Sequence, residues 1–401
     1  MSNKFYAARW IVPITSPILE NGCVEVAGDT VIALHAERPT GVKVKELGDV
    51  ALLPGLINAH THLEFSAVAK PLGNPTAPFD QWIGEVMRYR RSQAGNAAFS
   101  IGTAVESGLQ ESEKAGVIAL GEITTNWELV DCYAGSEMEV VSLREVINFS
   151  AAAVSRTTAD VESYLCRLRN GGVAVGISPH APYTVHWDQL RSLCDLSRQY
   201  SVPCVMHLAE TKEEGELIAT RSGVLRDMLG RLGMWEDSAI PESVSYLDYV
   251  QMLATSWRAL LVHGNYLSAE LHPFLGTVRD RVTVCYCPRT HAWFGHERYR
   301  LESMLECGVR VCLGTDSRAS NPDLSLVAEL QFVAEKYSQL NLLPLLEMAT
   351  TNAAFALGLE NRFGFLNQGS TSRVLAVPVN SQSSLESQLL INLAQAESVS
   401  L

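Results

Sequence analysis

The sequence predicts an α/β fold: a (β/α)8 TIM barrel, with both β-like chain ends able to form one small satellite domain. Three observations point there. Eight short apolar runs recur beyond Val50, helix-like segments lie between most of them, and both ends of the chain read as short β-like stretches. Short apolar runs bounded by turn residues read as buried strands. Strands alternating with helices build a parallel sheet, closed or doubly wound.

Residues 1–53 supply Ile11-Val12-Pro13, Cys23–Val26 and Val31–Leu34, separated by turn residues such as Gly28-Asp29. The eight runs follow as Leu56–Ala59, Val117–Leu120, Val140–Phe149, Val173–Ile177, Pro203–Met206, Leu260–Val262, Val282–Cys285 and Val309–Leu313. Between them, Phe79–Met87 places apolar residues at helical spacing, and Trp187–Tyr200 and Leu324–Tyr337 are similar. No Gly-x-Gly-x-x-Gly follows an early strand, which weakens a dinucleotide-binding open sheet. Thr220–Arg258 exceeds a typical loop and predicts extra helix. From Gly364 the chain turns β-like again at Arg373–Val379, then ends in a short helix-like segment, Leu385–Ala396. Residues 1–53 and 364–401 therefore form one expected unit, and residues 54–363 the barrel.

The chain has 401 residues, 47% of them hydrophobic and 19% charged, with a net charge of −13. That balance is globular, and it argues against coating nucleic acid or anionic membrane. Arg9 and Pro13 break the one apolar stretch near the N-terminus, so no signal peptide is expected. No run approaches the ~18–20 apolar residues that span a bilayer. Nine cysteines without framework spacing imply reduced thiols and a cytoplasmic protein. Cys285-Tyr-Cys287 reads as buried strand cysteine rather than a metal site.

Five features sit at the ends of expected barrel strands, where barrel active sites are built. His60-Thr61-His62 ends the first run, and alternation puts both imidazoles on one side, as a metal half-site or as polar turn residues. His207-Leu-Ala-Glu210 follows the fifth run, His263 the sixth, and Asp316 the eighth. His180, in Ser178-Pro-His180, follows the fourth, as a substrate contact or a loop hydrogen bond. Singly, a strand-end histidine is as readily a satisfied structural residue. Together they converge on one face, with N and O donors that suit Zn²⁺ or Fe²⁺.

These motifs resemble those of the amidohydrolase superfamily, in its cytosine deaminase, guanine deaminase and chlorotriazine hydrolase branch. Pro54-Gly-Leu-Ile-Asn-Ala-His60-Thr-His62 matches the strand-one motif, and His207-Leu-Ala-Glu210-Thr211 the His-x-x-Glu-Thr. His263-Gly264, Gly314-Thr-Asp316-Ser317 with Ala319-Ser-Asn321, and Ala349–Ala354 match the motifs that follow. The resemblance covers essentially the whole chain. It implies a (β/α)8 barrel with a composite β-sandwich built from both chain ends, in agreement with the texture. Binuclear relatives commonly bridge two metals with a strand-four lysine, and Val173–Ser178 contains none. One divalent metal, Zn²⁺ or Fe²⁺, is therefore expected on His60, His62, His207 and Asp316.

The resemblance further implies a hydrolytic deaminase. Asp316 takes a proton from the attacking water, Glu210 protonates a ring nitrogen, and His263 orients the water. A glutamate that is not a ligand is needed because an aromatic carbon is a poor electrophile until its ring nitrogen is protonated. His180, Arg289 and Trp82 are expected substrate contacts, with a core role as the alternative for Trp82. His62-Leu-Glu64 resembles half of another deaminase motif, but no Pro-Cys-x-x-Cys accompanies it. His62-Leu-Glu-Phe-Ser66 with Phe79-Asp-Gln-Trp82-Ile83 resembles a subgroup that includes aminodeoxyfutalosine deaminases. Purine, nucleoside-like and pterin substrates stay open. The rival readings are a hydrolase removing chloride or an alkylamine from a triazine-like ring, and a non-catalytic scaffold. Relatives are often dimers, so a homodimer is among the expected states. Two departures stand out. Arg289-Thr290-His291 replaces a Ser-Asn pair after the arginine, and Ser-Thr-Ser-Arg373 an Ala-Asp pair in the tail.

Overall fold

Each of the eight apolar runs contributes a strand to one parallel sheet. The strands are Leu56–Thr61, Val117–Thr124, Glu139–Val146, Val175–Pro179, Pro203–Leu208, Arg258–His263, Val282–Tyr286 and Val311–Leu313. Each pairs with its sequence neighbours, and helices lie between most of them. The computed structural model describes residues 3–94, 100–133, 135–380 and 383–401. Strands eight and one close the barrel through a parallel bridge between Thr61 and Asp316, with the Asp316 N–H donating to the His60 carbonyl at 3.1 Å. Asn58, fully buried, reinforces that seam: its Oδ1 accepts from the Thr315 N–H at 3.1 Å, and its Nδ2 donates to Thr315 Oγ1 at 2.7 Å.

Residues from seven of the eight strands, among them Ile57, Val141, Val205, Leu260 and Cys285, meet in one apolar cluster. Each is at most 1% exposed, worth about 1.5–3 kcal/mol per large side chain. Close packing also restricts small positions: a Cβ on Gly55 would lie 2.4 Å from Ile118 Cγ2. The helical stripe at Phe79 becomes the helix Phe79–Ala94, and Trp187–Tyr200 is a helix over that whole span. Thr220–Arg258 holds two helices, Val224–Arg231 and Tyr246–Leu253. The third run is shorter as a strand than its apolar stretch: it stops at Val146, and Ile147 beyond it is 47% exposed. Cys285 and Cys287 are buried free thiols, as are Cys194 and Cys204. No described helix is long and apolar enough to cross a membrane.

The chain ends build two further sheets and meet in one of them. Val50–Pro54 pairs antiparallel with Arg373–Pro378, which pairs with Glu397–Ser400, in a five-stranded sheet that also holds Trp10–Ile11 and Leu19–Glu20. A four-stranded sheet comprises Lys4–Ala7, Cys23–Ala27, Thr30–His35 and Val44–Glu46. Val24 and Val26 of one sheet pack with Leu52 and Val374 of the other, so the two halves share one small core.

Candidate active site

The C-terminal strand ends bring the histidines together. His60, His62 and His207 each present a ring nitrogen, and the three nitrogens lie within 4.8 Å of one another. Asp316 Oδ1 stands 3.6 Å from His60 Nε2 and 3.7 Å from His62 Nε2. The donor set fits a divalent cation on several counts. Both ring nitrogens of His60, and Nδ1 of His62, are buried without a hydrogen-bond partner. The Nε2 atoms of His62 and His207 face each other at 3.3 Å. Nδ1 of His207 donates to the His180 carbonyl at 2.9 Å, which leaves its Nε2 with a lone pair directed into the site. Burial, and then the nearby His60, holds His62 and His207 well below the usual imidazole range, so both are neutral, as ligands must be.

Three strand ends turn abruptly to present these groups. Ala209 (φ 56°), His263 (φ 72°) and Asp316 (φ 57°) occupy the left-handed region, which non-glycine residues rarely adopt and which costs of order 1–3 kcal/mol each. The surroundings hold them there. The Gly264 N–H donates to the Leu208 carbonyl at 3.0 Å, Tyr266 N–H to the Ala209 carbonyl at 2.9 Å, and Tyr299 Oη to the His263 carbonyl at 3.0 Å. Ser320 Oγ donates to Asp316 Oδ2 at 2.9 Å, leaving Oδ1 toward the histidines. Burial pushes the Asp316 carboxyl up, but the close approach of His60 and the neighbouring imidazoles outweighs it and holds the group far below the usual carboxylate range.

Glu210 lies beside this cluster, its Oε1 3.5 Å from His263 Nε2. Burial, and then the negative charge of Asp316, pushes its carboxyl well above the usual range. Its surroundings therefore favour the protonated carboxyl, while those of Asp316 favour the ionised one. Burial holds His263 well below the ordinary imidazole value. Thr211, the last residue of the His-x-x-Glu-Thr motif, caps the helix Lys212–Thr220 by accepting from the Glu214 N–H at 3.2 Å.

A cavity of about 300 Å³ opens over these groups, lined by His62, His207, His263, Glu210 and Asp316. That is the lower end of the range for small-molecule sites. Trp82 and His180 line it as well, Trp82 stacked on Phe79 with ring centroids 5.4 Å apart. Burial pushes His180 down to about 3, and its Nδ1 pairs with Thr184 Oγ1 at 2.7 Å. Arg289 corrects the expectation. It does not line the cavity, because its guanidinium is spent on Asp323 Oδ1 at 2.6 Å and Glu329 Oε1 at 2.7 Å. Glu329, fully buried, also accepts from Asn321 Nδ2 at 2.6 Å, so the Ala319-Ser-Asn321 motif and Arg289 form one structural network. Sequence reasoning missed the rest of the wall. Arg90 comes from the helix of Trp82, Glu145 from the end of strand three, and Met228, Leu229 and Leu232 from the insertion. Only Glu145 carried a signal, a charged residue at the end of a barrel strand.

With this geometry established, comparison with known proteins is informative. The sequence profile described as "Amidohydrolase family" matches residues 51–377. The chain belongs to the amidohydrolase family. This amidohydrolase is 27% identical to a 5-methylthioadenosine/S-adenosylhomocysteine deaminase of Pyrococcus furiosus, over 95% of its own length and 88% of the relative's. It is 28% identical to an aminodeoxyfutalosine deaminase of Deinococcus radiodurans, over 87% and 84%. Its fold superposes on the crystal structure of Helicobacter pylori aminofutalosine deaminase in complex with methylthio-coformycin. There the TM-score is 0.83 at 22% identity, covering 98% of this chain and 97% of the other. Members of the family generally bind a divalent metal, and the His60, His62 and His207 cluster fits one.

Proposed function

We propose that this amidohydrolase is a metal-dependent hydrolytic deaminase of an amino-substituted N-heterocycle on an adenosine-like compound, with aminodeoxyfutalosine within its range. The enzyme acts on a carbon–nitrogen bond other than a peptide bond. One observation carries the reading: a buried glutamate that is not near enough to join the three-histidine cluster sits on the same cavity wall, its carboxyl raised by burial, 3.5 Å from His263 Nε2. An amidase has no need of such a group. Attack on an aromatic ring carbon does, because the ring nitrogen must be protonated for the carbon to accept a nucleophile.

His60, His62, His207 and Asp316 would hold a single ion, Zn²⁺ before Fe²⁺. Strand four, Val175–Pro179, supplies no lysine to bridge a second. When bound, such an ion lowers the pKa of water from ~15.7 toward ~7. Asp316, ionised, takes the proton of the water that adds to the ring carbon. Glu210 gives its proton to the adjacent ring nitrogen. His263, fixed through its carbonyl by Tyr299, holds the water on the correct face. A proton then passes to the amino group, the carbon–nitrogen bond breaks, and ammonia leaves as the ring carbonyl forms. The division of the chain into residues 54–363 and a unit of residues 1–53 with 364–401 draws support from the five-stranded sheet that the two ends share.

The test is ammonia release from a panel of aminopurines, adenosine-type nucleosides and pterins, with Glu210→Gln as control. Ammonia is expected from at least one nucleoside. The variant should keep its metal by elemental analysis and lose about 10²–10⁴-fold in kcat, the usual contribution of a general acid. No ammonia from any compound, with chloride or alkylamine released from a triazine instead, overturns the reading.

A further inference from the structure

Buried glutamates outside the proposed reaction each hold a neighbour. Glu64 accepts from Arg90, and Glu329 from Arg289 and Asn321. Glu122 accepts the Leu63 N–H, at 2.9 Å and 3.0 Å to its two oxygens. Glu214, fully buried, is placed differently. Its Oε1 accepts the Ala209 N–H at 2.6 Å, in the middle of the turn between His207 and Glu210.

Glu214 is the third residue of the helix Lys212–Thr220, whose N-cap Thr211 accepts the Glu214 N–H at 3.2 Å. In a capping box the glutamate at this position reaches back to the N–H of the cap residue. Glu214 instead reaches past the cap, to Ala209. The Glu210 N–H and the Tyr246 hydroxyl lie close enough to favour its charged form, yet its Oε2 makes no hydrogen bond among the described residues. An acceptor left unpaired in a dry site lowers stability. What Glu214 contributes is therefore the placement of the backbone it holds.

That backbone is under strain. Ala209 has φ 56°, a conformation that non-glycine residues rarely adopt. The loop beyond strand six grips the carbonyl side of the turn. Tyr266 N–H donates to the Ala209 carbonyl at 2.9 Å, and Asn265 Nδ2 to the Glu210 carbonyl at 3.0 Å. Glu214 grips the N–H side. The two ends of the turn are held by different means. His207 lies within strand five, in register with Val262, and its N–H and Nδ1 both donate to the His180 carbonyl, at 3.0 Å and 2.9 Å. Glu210 lies beyond the strand, so the turn sets where its carboxyl stands beside His263.

We propose that Glu214 is a positioning residue: by holding the Ala209 N–H it fixes the turn that aims the Glu210 carboxyl at the ring nitrogen, while the strands alone set the histidine cluster. This rests on the deaminase reading and adds to it the group that directs the proton donor.

The experiment compares three variants. Glu214→Asp, one methylene shorter, falls short of Ala209, whereas Glu214→Gln keeps an acceptor oxygen at the same reach. Glu214→Met loses the acceptor without leaving a charge in the core, and serves if the aspartate variant does not fold. Ammonia release is followed on the panel above, and zinc affinity by chelator competition. A misplacement of about 1 Å costs about 10²-fold, so Glu214→Asp and Glu214→Met should lose about 10–100-fold in kcat. KM and zinc affinity should stay within about threefold, and Glu214→Gln should recover most of the lost kcat. On a Glu210→Gln background the same substitutions should change kcat by less than about threefold, because the group they aim is gone. A full loss on that background, or zinc affinity falling in step with kcat, overturns the assignment. Hydrogen exchange at the Ala209 amide needs no turnover. Glu214→Asp and Glu214→Met should speed it about tenfold or more, and Glu214→Gln should not. Equal exchange in every variant overturns the proposal. If wild type releases no ammonia from any compound, the deaminase reading falls, and exchange alone decides whether Glu214 holds the turn.

Discussion

Truncating Asn58 to alanine separates barrel closure from everything else in the fold. The side chain is fully buried and touches neither the cavity nor solvent. Its Oδ1 accepts two backbone N–H groups, Thr315 at 3.1 Å and His60 at 3.3 Å, while Nδ2 donates to Thr315 Oγ1 at 2.7 Å. Alanine leaves those two N–H groups buried without that acceptor. At about 1–3 kcal/mol for each orphan, the cost is about 2–6 kcal/mol. The same two backbone groups position His60 and, through Thr315, Asp316. Loosening the hydrogen bonds behind metal ligands typically weakens binding about 10–100-fold. Zinc affinity is measured by competition with a chromogenic chelator, and stability by urea unfolding of the metal-free protein. Thr315→Val is the control: it leaves both N–H groups satisfied but orphans the Asn58 Nδ2 donor, so it should cost about 1–3 kcal/mol and leave zinc affinity within about threefold. A folded Asn58→Ala protein that binds zinc as tightly as wild type refutes the coupling of closure to the ligand set.

Three other outcomes are expected. Arg289→Ala leaves Glu329 buried without its cation and should cost about 3–5 kcal/mol in urea unfolding, with KM unchanged; a raised KM at unchanged stability would return Arg289 to the substrate. Glu214 is fully buried, and burial raises its carboxyl from 4.5 to about 8. The folded state thus keeps a proton that the unfolded chain releases between those values, so stability is highest below pH 4.5 and declines as pH rises to about 8. Glu214→Gln should flatten that decline by a few (~3–5) kcal/mol between pH 5 and 8.5, read from urea midpoints, and an unchanged slope would count against it. Burial also raises Glu210, so kcat should fall as pH rises through that elevated pKa, and the alkaline limb should be absent from the residual activity of Glu210→Gln.

The barrel was legible because each buried strand leaves a short apolar run between turn residues, and all eight runs became strands. The histidines were legible because strand alternation alone puts residues 60 and 62 on one side, and because His207, His263 and Asp316 each close an apolar run. Arg289 misled because a charged residue at a strand end reads identically whether it faces a ligand or a buried partner. Asp323 and Glu329 lie 34 and 40 residues away, and no spacing reveals that they claim it. The apolar wall from the helix Val224–Arg231 was invisible for a related reason. A cavity's far side is assembled by loops and insertions whose placement depends on tertiary packing rather than on local period.

The sheet that joins Val50–Pro54 to Arg373–Pro378 bears on how this enzyme is made. Strand one of the barrel leaves directly from Val50–Pro54, and the Gly55 N–H donates across to the Arg373 carbonyl at 3.4 Å. During synthesis at ~5–20 residues per second, the partner segment trails by roughly 15–65 seconds. Throughout that interval the first strand and its two histidines are anchored on one side only, while an unpaired edge waits in the open. The last step of maturation is therefore the arrival of the tail. A chain that lacks Arg373–Pro378 should emerge as an aggregating barrel rather than a slightly weakened enzyme.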